Sequence, residues 1–118
     1  MPYKYRDYSH IACEASLAAG DQGKYWEMHD LLLARGARLD REGLVQMAAK
    51  LDLDVKRFAS DLDTMKHKEL IERDKALAVA IDLYETPTYF INGRKVVGNR
   101  EFEYLKQVID EELARAKR

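Results

Sequence analysis

Thr86-Pro87-Thr88-Tyr89-Phe90-Ile91-Asn92-Gly93-Arg94-Lys95-Val96-Val97-Gly98 is the stretch that decides how this chain folds. It reads as a loop proline, a short strand, a two-residue turn and a second strand. Asn92-Gly93 between apolar runs is a strong hairpin signal, because a type I′ turn needs positive φ at both central residues. A proline cannot donate to a ladder, so Pro87 belongs in the loop or at the start of the strand. A Thr-Pro bond can also be cis at modest cost.

Outward from the hairpin the chain is helical. Arg100 to about Lys117 predicts a last helix, with Asn99 as N-cap and Phe102, Leu105, Ile109 and Leu113 as its buried stripe. A long helix, about Lys66 to Leu83, precedes the hairpin. Its Leu70, Leu77 and Ile81 recur at helical spacing, and Glu69, Glu72, Arg73, Asp74 and Lys75 form its solvated side. Asp54 caps a short helix with Val55, Phe58 and Leu62 inward. Asp40 caps another, Arg41 to Leu51, where Leu44, Met47, Ala48 and Leu51 follow the i, i+3, i+4, i+7 pattern. Before that, Asp21-Gln22-Gly23 opens a helix of about Lys24 to Ala34 that Arg35-Gly36 stops. Tyr25, Met28 and Leu32 give it an apolar face, joined by Trp26 and Leu33. Ser9 caps the first helix, His10 to Ala19, which Gly20 ends. Its small residues let neighbouring backbones approach closely, so it belongs in the middle of the packing. Residues 1–8 read as a ragged strand or an extended lead-in, whose Tyr3, Tyr5 and Tyr8 cover the helices or form a docking surface, with cover the favoured role.

The chain has 118 residues, which predicts one domain. Its regions are a helical part, about 9–83, and the hairpin with the final helix, 84–118. The fold class is α+β, predominantly helical. Charged residues make up 35% and the net charge is −1, so no clustered basic excess points to nucleic acid. No apolar run approaches the ~20 residues of a membrane span. The first residues carry no apolar core of a secretory signal, which predicts a cytoplasmic location if the chain is made as it stands. Cys13 is the one cysteine, so neither an internal disulfide nor a CxxC pair can form. His10, His29 and His67 show no HxH or HxxxH spacing, and no metal or other cofactor is predicted. His29, beside Trp26, reads as a packing or hydrogen-bonding residue. Glu101, Glu103, Asp110, Glu111 and Glu112 read as a solvated helix face.

Three segments in order carry a resemblance to a known family. Thr86 to Gly98 resembles the cis-proline segment and hairpin of thioredoxin-fold proteins, specifically DsbA-like disulfide oxidoreductases. Ala15-Ser16-Leu17-Ala18-Ala19 with Gln22 to Leu32 resembles the first helices of the helical domain that this family inserts into its fold. Leu51 to Phe58 with Asp61-Leu62 is similar to the helical pair leading to the long helix before the proline. The resemblance runs from about Pro2 to Leu113. In the family a strand, a CxxC at a helix start and another strand precede this region, so the chain looks like the back portion of such a protein.

The resemblance implies thiol–disulfide exchange, as oxidase or isomerase, on extracytoplasmic proteins. It places Pro87 opposite the redox pair and gives Thr86 the task of offering backbone groups to a bound peptide. It implies no catalytic residue in this chain, because Cys13 does not match the pair. A reactive thiol needs a helix N-terminus or a cationic neighbour. Cys13 sits about four residues into a helix of alanines, and a small buried residue is its expected role. A lone hairpin is marginal in water. A second reading is therefore a non-catalytic helical interaction module, a homodimer with the hairpin or neighbouring helices at its interface.

Overall fold

The structure, a computed structural model, describes residues 8–117. Its elements in chain order are α1 (Ser9–Asp21), α2 (Tyr25–Leu32), α3 (Arg41–Lys50), α4 (Val55–Asp63), α5 (Lys68–Ala80), β1 (Thr88–Ile91), β2 (Arg94–Val97) and α6 (Phe102–Ala116). This is the helix-dominated α+β architecture predicted above. Tyr3 and Tyr5 lie outside the described residues. The chain forms two compact units that divide between Asp74 and Lys75, within α5.

In the first unit α1 packs against α2, α3 and α4. Its fully buried Ala15, Ala18 and Ala19 have no bulk to hold neighbours away, as the small residues predict. Met28, Leu44, Ala48, Leu53, Phe58 and Leu62 complete the core. Both predicted aspartate caps are present. Asp40 Oδ1 accepts from the Gly43 N–H at 3.0 Å, and Asp54 Oδ1 from the Arg57 N–H at 3.1 Å. Gln22 ties the end of α1 to that second cap. Its Oε1 accepts from the Asp54 N–H at 2.8 Å, and its Nε2 donates to the Asp54 carbonyl at 3.2 Å. Arg41 grips Asp63 with two hydrogen bonds, at 2.7 and 2.9 Å, joining the start of α3 to the end of α4.

Several boundaries differ from the sequence expectation. Tyr8, not Ser9, occupies the N-cap of α1, and Ser9 is already helical. Gly20 does not end α1: the helix runs on to Asp21, and Tyr25 packs against Gly20. The left-handed turn falls instead at Gly23, with φ +80°. Trp26 and Leu33 are 66% and 73% exposed, whereas Met28 is fully buried and Leu32 packs partly buried against the core. α5 starts at Lys68, because Lys66 N–H bonds back to the Asp61 carbonyl and Met65 turns left-handed.

In the second unit β1 and β2 pair antiparallel with Ile91 opposite Arg94. Asn92 and Gly93 fill the two turn positions with φ +50° and +80°, as a type I′ turn requires. α6 packs on β1 and buries Val108, while β2 buries Val96. The predicted stripe of α6 is only part of that contact. Leu105 is half-buried, but Phe102, Ile109 and Leu113 are 73%, 45% and 54% exposed. The buried line runs instead through Leu105, Val108 and Glu112, rotated about the helix axis. Leu77 and Ile81 of the long helix are likewise exposed; Ile71 is the residue of α5 that is buried. Asn99 does not cap α6, which starts at Phe102 after Glu101, without a side-chain cap bond.

Candidate functional site

Pro87 stands at the mouth of β1. The Thr86–Pro87 peptide bond is cis, and both residues are exposed. The Pro87 carbonyl accepts the Gly98 N–H at 2.7 Å, closing the base of the hairpin. Thr88 Oγ1 donates to the Glu85 carbonyl, and Lys95 Nζ donates to the Asp82 carbonyl at 2.6 Å. These bonds pin the approach to the proline from both strands. Asp82, Tyr84, Glu85, Thr88, Lys95 and Val97 enclose a hollow of about 370 Å³ beside it. The sheet has two strands, so among the described residues the outer edge of β1 has no strand partner. Such an edge offers unpaired N–H and C=O groups in an extended row.

Cys13 lies in the first unit and is exposed, which corrects the expected burial. The α1 positions that face the core are Glu14, Ala15, Ala18 and Ala19, and Cys13 falls beside that stripe. It opens on a groove of about 410 Å³ lined by Tyr8, Ser16, Tyr25, His29 and Leu32. Ser16 Oγ donates to the Cys13 carbonyl at 2.8 Å, and no second thiol exists in the chain. His29 has the local role expected of it: Nδ1 lies 3.2 Å from Asp30 Oδ1, and its ring meets Trp26 edge-on.

Two carboxylates escaped the sequence reading because both sit in otherwise apolar stripes. Glu14 is 1% exposed. Its Oε2 accepts the His67 N–H at 3.0 Å, and its Oε1 faces His10 Nε2 at 3.7 Å. Glu112 is 4% exposed, which corrects its assignment to the solvated face. Arg115 holds it at 2.9 Å, and Arg94 stands 3.7 Å away while bonding Glu111 at 2.6 Å. Asp21 collects His67 Nε2 at 2.8 Å and Lys66 Nζ at 3.1 Å. Burial alone would raise the Asp21 carboxyl, but the hydrogen bonds from His67 and Lys66 outweigh it and hold it below the ordinary carboxylate range. Among the described residues, no group of three or more His, Cys, Asp or Glu is placed to hold a metal ion.

The model of the DSBA-like thioredoxin domain family matches residues 4–110. The chain belongs to that family. The match covers both the helices of the first unit and the proline hairpin of the second. Similar proteins include a Na(+)/H(+) antiporter NhaA of Herminiimonas arsenicoxydans, 42% identical over 85% of this chain. Another is Na(+)/H(+) antiporter NhaA 1 of Salinispora arenicola, 40% identical over 91% of this chain. The match takes up 16% of each of those two proteins, so the chain spans about one sixth of the length of the curated relatives it matches. No solved structure is significantly similar to it. Among the described residues, no helix is long and apolar enough to cross a membrane.

Proposed function

We propose that this chain is the peptide-binding portion of a DsbA-like protein-disulfide oxidoreductase. It receives an extended segment of a protein substrate along β1, with Thr86 and Pro87 at the contact. The observation that carries this reading is the exposed Thr86–Pro87 bond at the head of an unpaired strand edge. Main-chain pairing to such an edge gives affinity without demanding a particular side-chain sequence.

In the exchange itself a thiolate attacks a substrate disulfide sulfur, breaking the S–S bond and forming a mixed disulfide. A second thiolate then resolves it, leaving the substrate reduced and the attacking pair oxidised; the reverse sequence oxidises the substrate. Cys13 can form a mixed disulfide but has no partner thiol to resolve it. The chain therefore binds and does not turn over by itself. Extracytoplasmic proteins with cysteines are the substrate class, in keeping with the family and the compartments where disulfides persist. The antiporter relatives carry this segment as a minor part of their length, and transport is not part of the reading.

The test is a titration of the isotopically labelled chain with an unfolded, cysteine-containing peptide, followed by amide NMR. Shifts concentrated at Thr86, Thr88 and the outer edge of β1 support the proposal. Shifts confined to the Cys13 groove, or none up to millimolar peptide, would refute it.

A second reading is favoured by the apolar residues that the second unit leaves exposed, including Leu77, Val79, Ile81, Phe90, Phe102 and Leu113. Where such residues adjoin, as Phe102, Ile109 and Leu113 do along α6, they form an apolar surface suited to an interaction. We infer that the chain is also a homodimer, an interaction module as well as a substrate platform.

A further inference from the structure

α6 carries more apolar surface than the hairpin can use. Its 15 residues span about 22 Å. At 100° per residue, Leu105, Val108 and Glu112 lie on the line that is buried. Phe102, Ile109 and Leu113 lie on an adjoining line, separated by whole turns, and remain 73%, 45% and 54% exposed. One edge of that exposed line is apolar, with Leu105 and Ala116. The other edge is charged, with Lys106 and Asp110 bonded to each other at 2.8 Å.

We propose that this stripe is the dimer interface, and that its occupant is α6 of a second copy of the chain, lying antiparallel. The proposal rests on the homodimer reading above and assigns it a surface and a register. The charges select the orientation. A two-fold axis perpendicular to two antiparallel helices sets like edges together: apolar against apolar, charged against charged. A parallel pair would set the charged edge of one helix against the apolar edge of the other. With the axis near Gln107 and Val108, Phe102 meets the partner's Leu113. Lys106 then stands opposite the partner's Asp110, and Asp110 opposite the partner's Lys106. Four charges alternate in sign around the axis, so the surface is complementary to itself, as an isologous contact must be. One helix pair covers less than the ~800 Å² a side of a standard interface, so the contact belongs with weak, transient associations.

Sedimentation equilibrium from about 10 µM to about 1 mM tests this, with circular dichroism to verify that each variant is folded. The wild-type chain should dimerise across that range. Ile109→Glu should abolish dimerisation, since it puts a charge in the middle of the exposed stripe. Lys106→Asp and Asp110→Lys should each weaken self-association about tenfold or more, because like charges then face across the axis. An equimolar mixture of those two variants should associate again. In that mixture the bond within each helix stays broken, so recovery can come only from charges meeting between chains. A monomer at about 1 mM would overturn both the interface and the homodimer reading. A dimer indifferent to Ile109→Glu would overturn this surface alone, and failure of the mixture to recover would overturn the antiparallel register.

Discussion

Glu14 and Gly43 show how single side chains set the first unit. Glu14 is a carboxylate in a row of buried alanines, and its one strong hydrogen bond comes from the His67 backbone. It joins α1 to the turn before α5. Removing it leaves the His67 N–H without that partner and opens a cavity, so Glu14→Ala should cost about 2–3 kcal/mol in chemical denaturation. Glu14→Gln keeps an oxygen for His67 and should cost less than about 1 kcal/mol. Equal losses in the two variants would show that the oxygen offered to the His67 N–H is not what Glu14 contributes. Gly43 donates to the Asp40 cap, and a Cβ there would land against the Arg38 carbonyl oxygen. Gly43→Ala should therefore destabilise by about 1–3 kcal/mol through overpacking, despite alanine's better helix propensity. A stabilised variant in thermal melts would mean that the Arg38 segment moves aside easily.

At the scale of elements, the segments with a local chemical signal were the most legible. Asn92-Gly93 fixed the hairpin and its register because only certain residues tolerate two consecutive positive φ values. Gly93→Ala, at φ +80°, should cost about 1 kcal/mol and loosen the amide protection of β1 and β2 in hydrogen exchange. Asp40 and Asp54 were readable because a short oxygen-bearing side chain before an apolar run has one obvious use. The facing of α5 and α6 was not readable. Hydrophobic periodicity marks the broad apolar arc of a helix, whereas packing uses only the part that meets a neighbour. In α6 that part runs through Val108 and Glu112, and the aliphatic stem of Glu112 does the work of an apolar residue while Arg115 takes its charge. The exposure of Thr86 and Pro87 depends on how the chain folds around them, which no local pattern carries.

The junction of α1 with the turn before α5 also sets a pH response. Asp21 titrates below its ordinary range in the folded unit. Its contribution to stability is therefore complete above the titration range of an unfolded aspartate, and disappears as pH falls through the depressed folded value. Asp21→Asn should flatten the acid limb of the stability–pH curve. Denaturant titrations at a series of pH values measure this directly; an acid limb as steep as that of the wild type would assign the loss to other carboxylates.

At the scale of the whole molecule, the proposed function separates family membership from turnover. The helices of the first unit and the proline hairpin of the second both fall within residues 4–110, matched to the DSBA-like domain, while the chain holds one thiol, on α1. The proposed peptide-binding edge, in a chain with a single thiol, predicts recognition without turnover. The insulin reduction assay tests this most directly, with dithiothreitol as reductant and turbidity of the released B chain as the signal. Adding the chain should leave the rate at that of dithiothreitol alone, with Cys13→Ser indistinguishable from wild type. A rate clearly above that background, retained in Cys13→Ser, would contradict it.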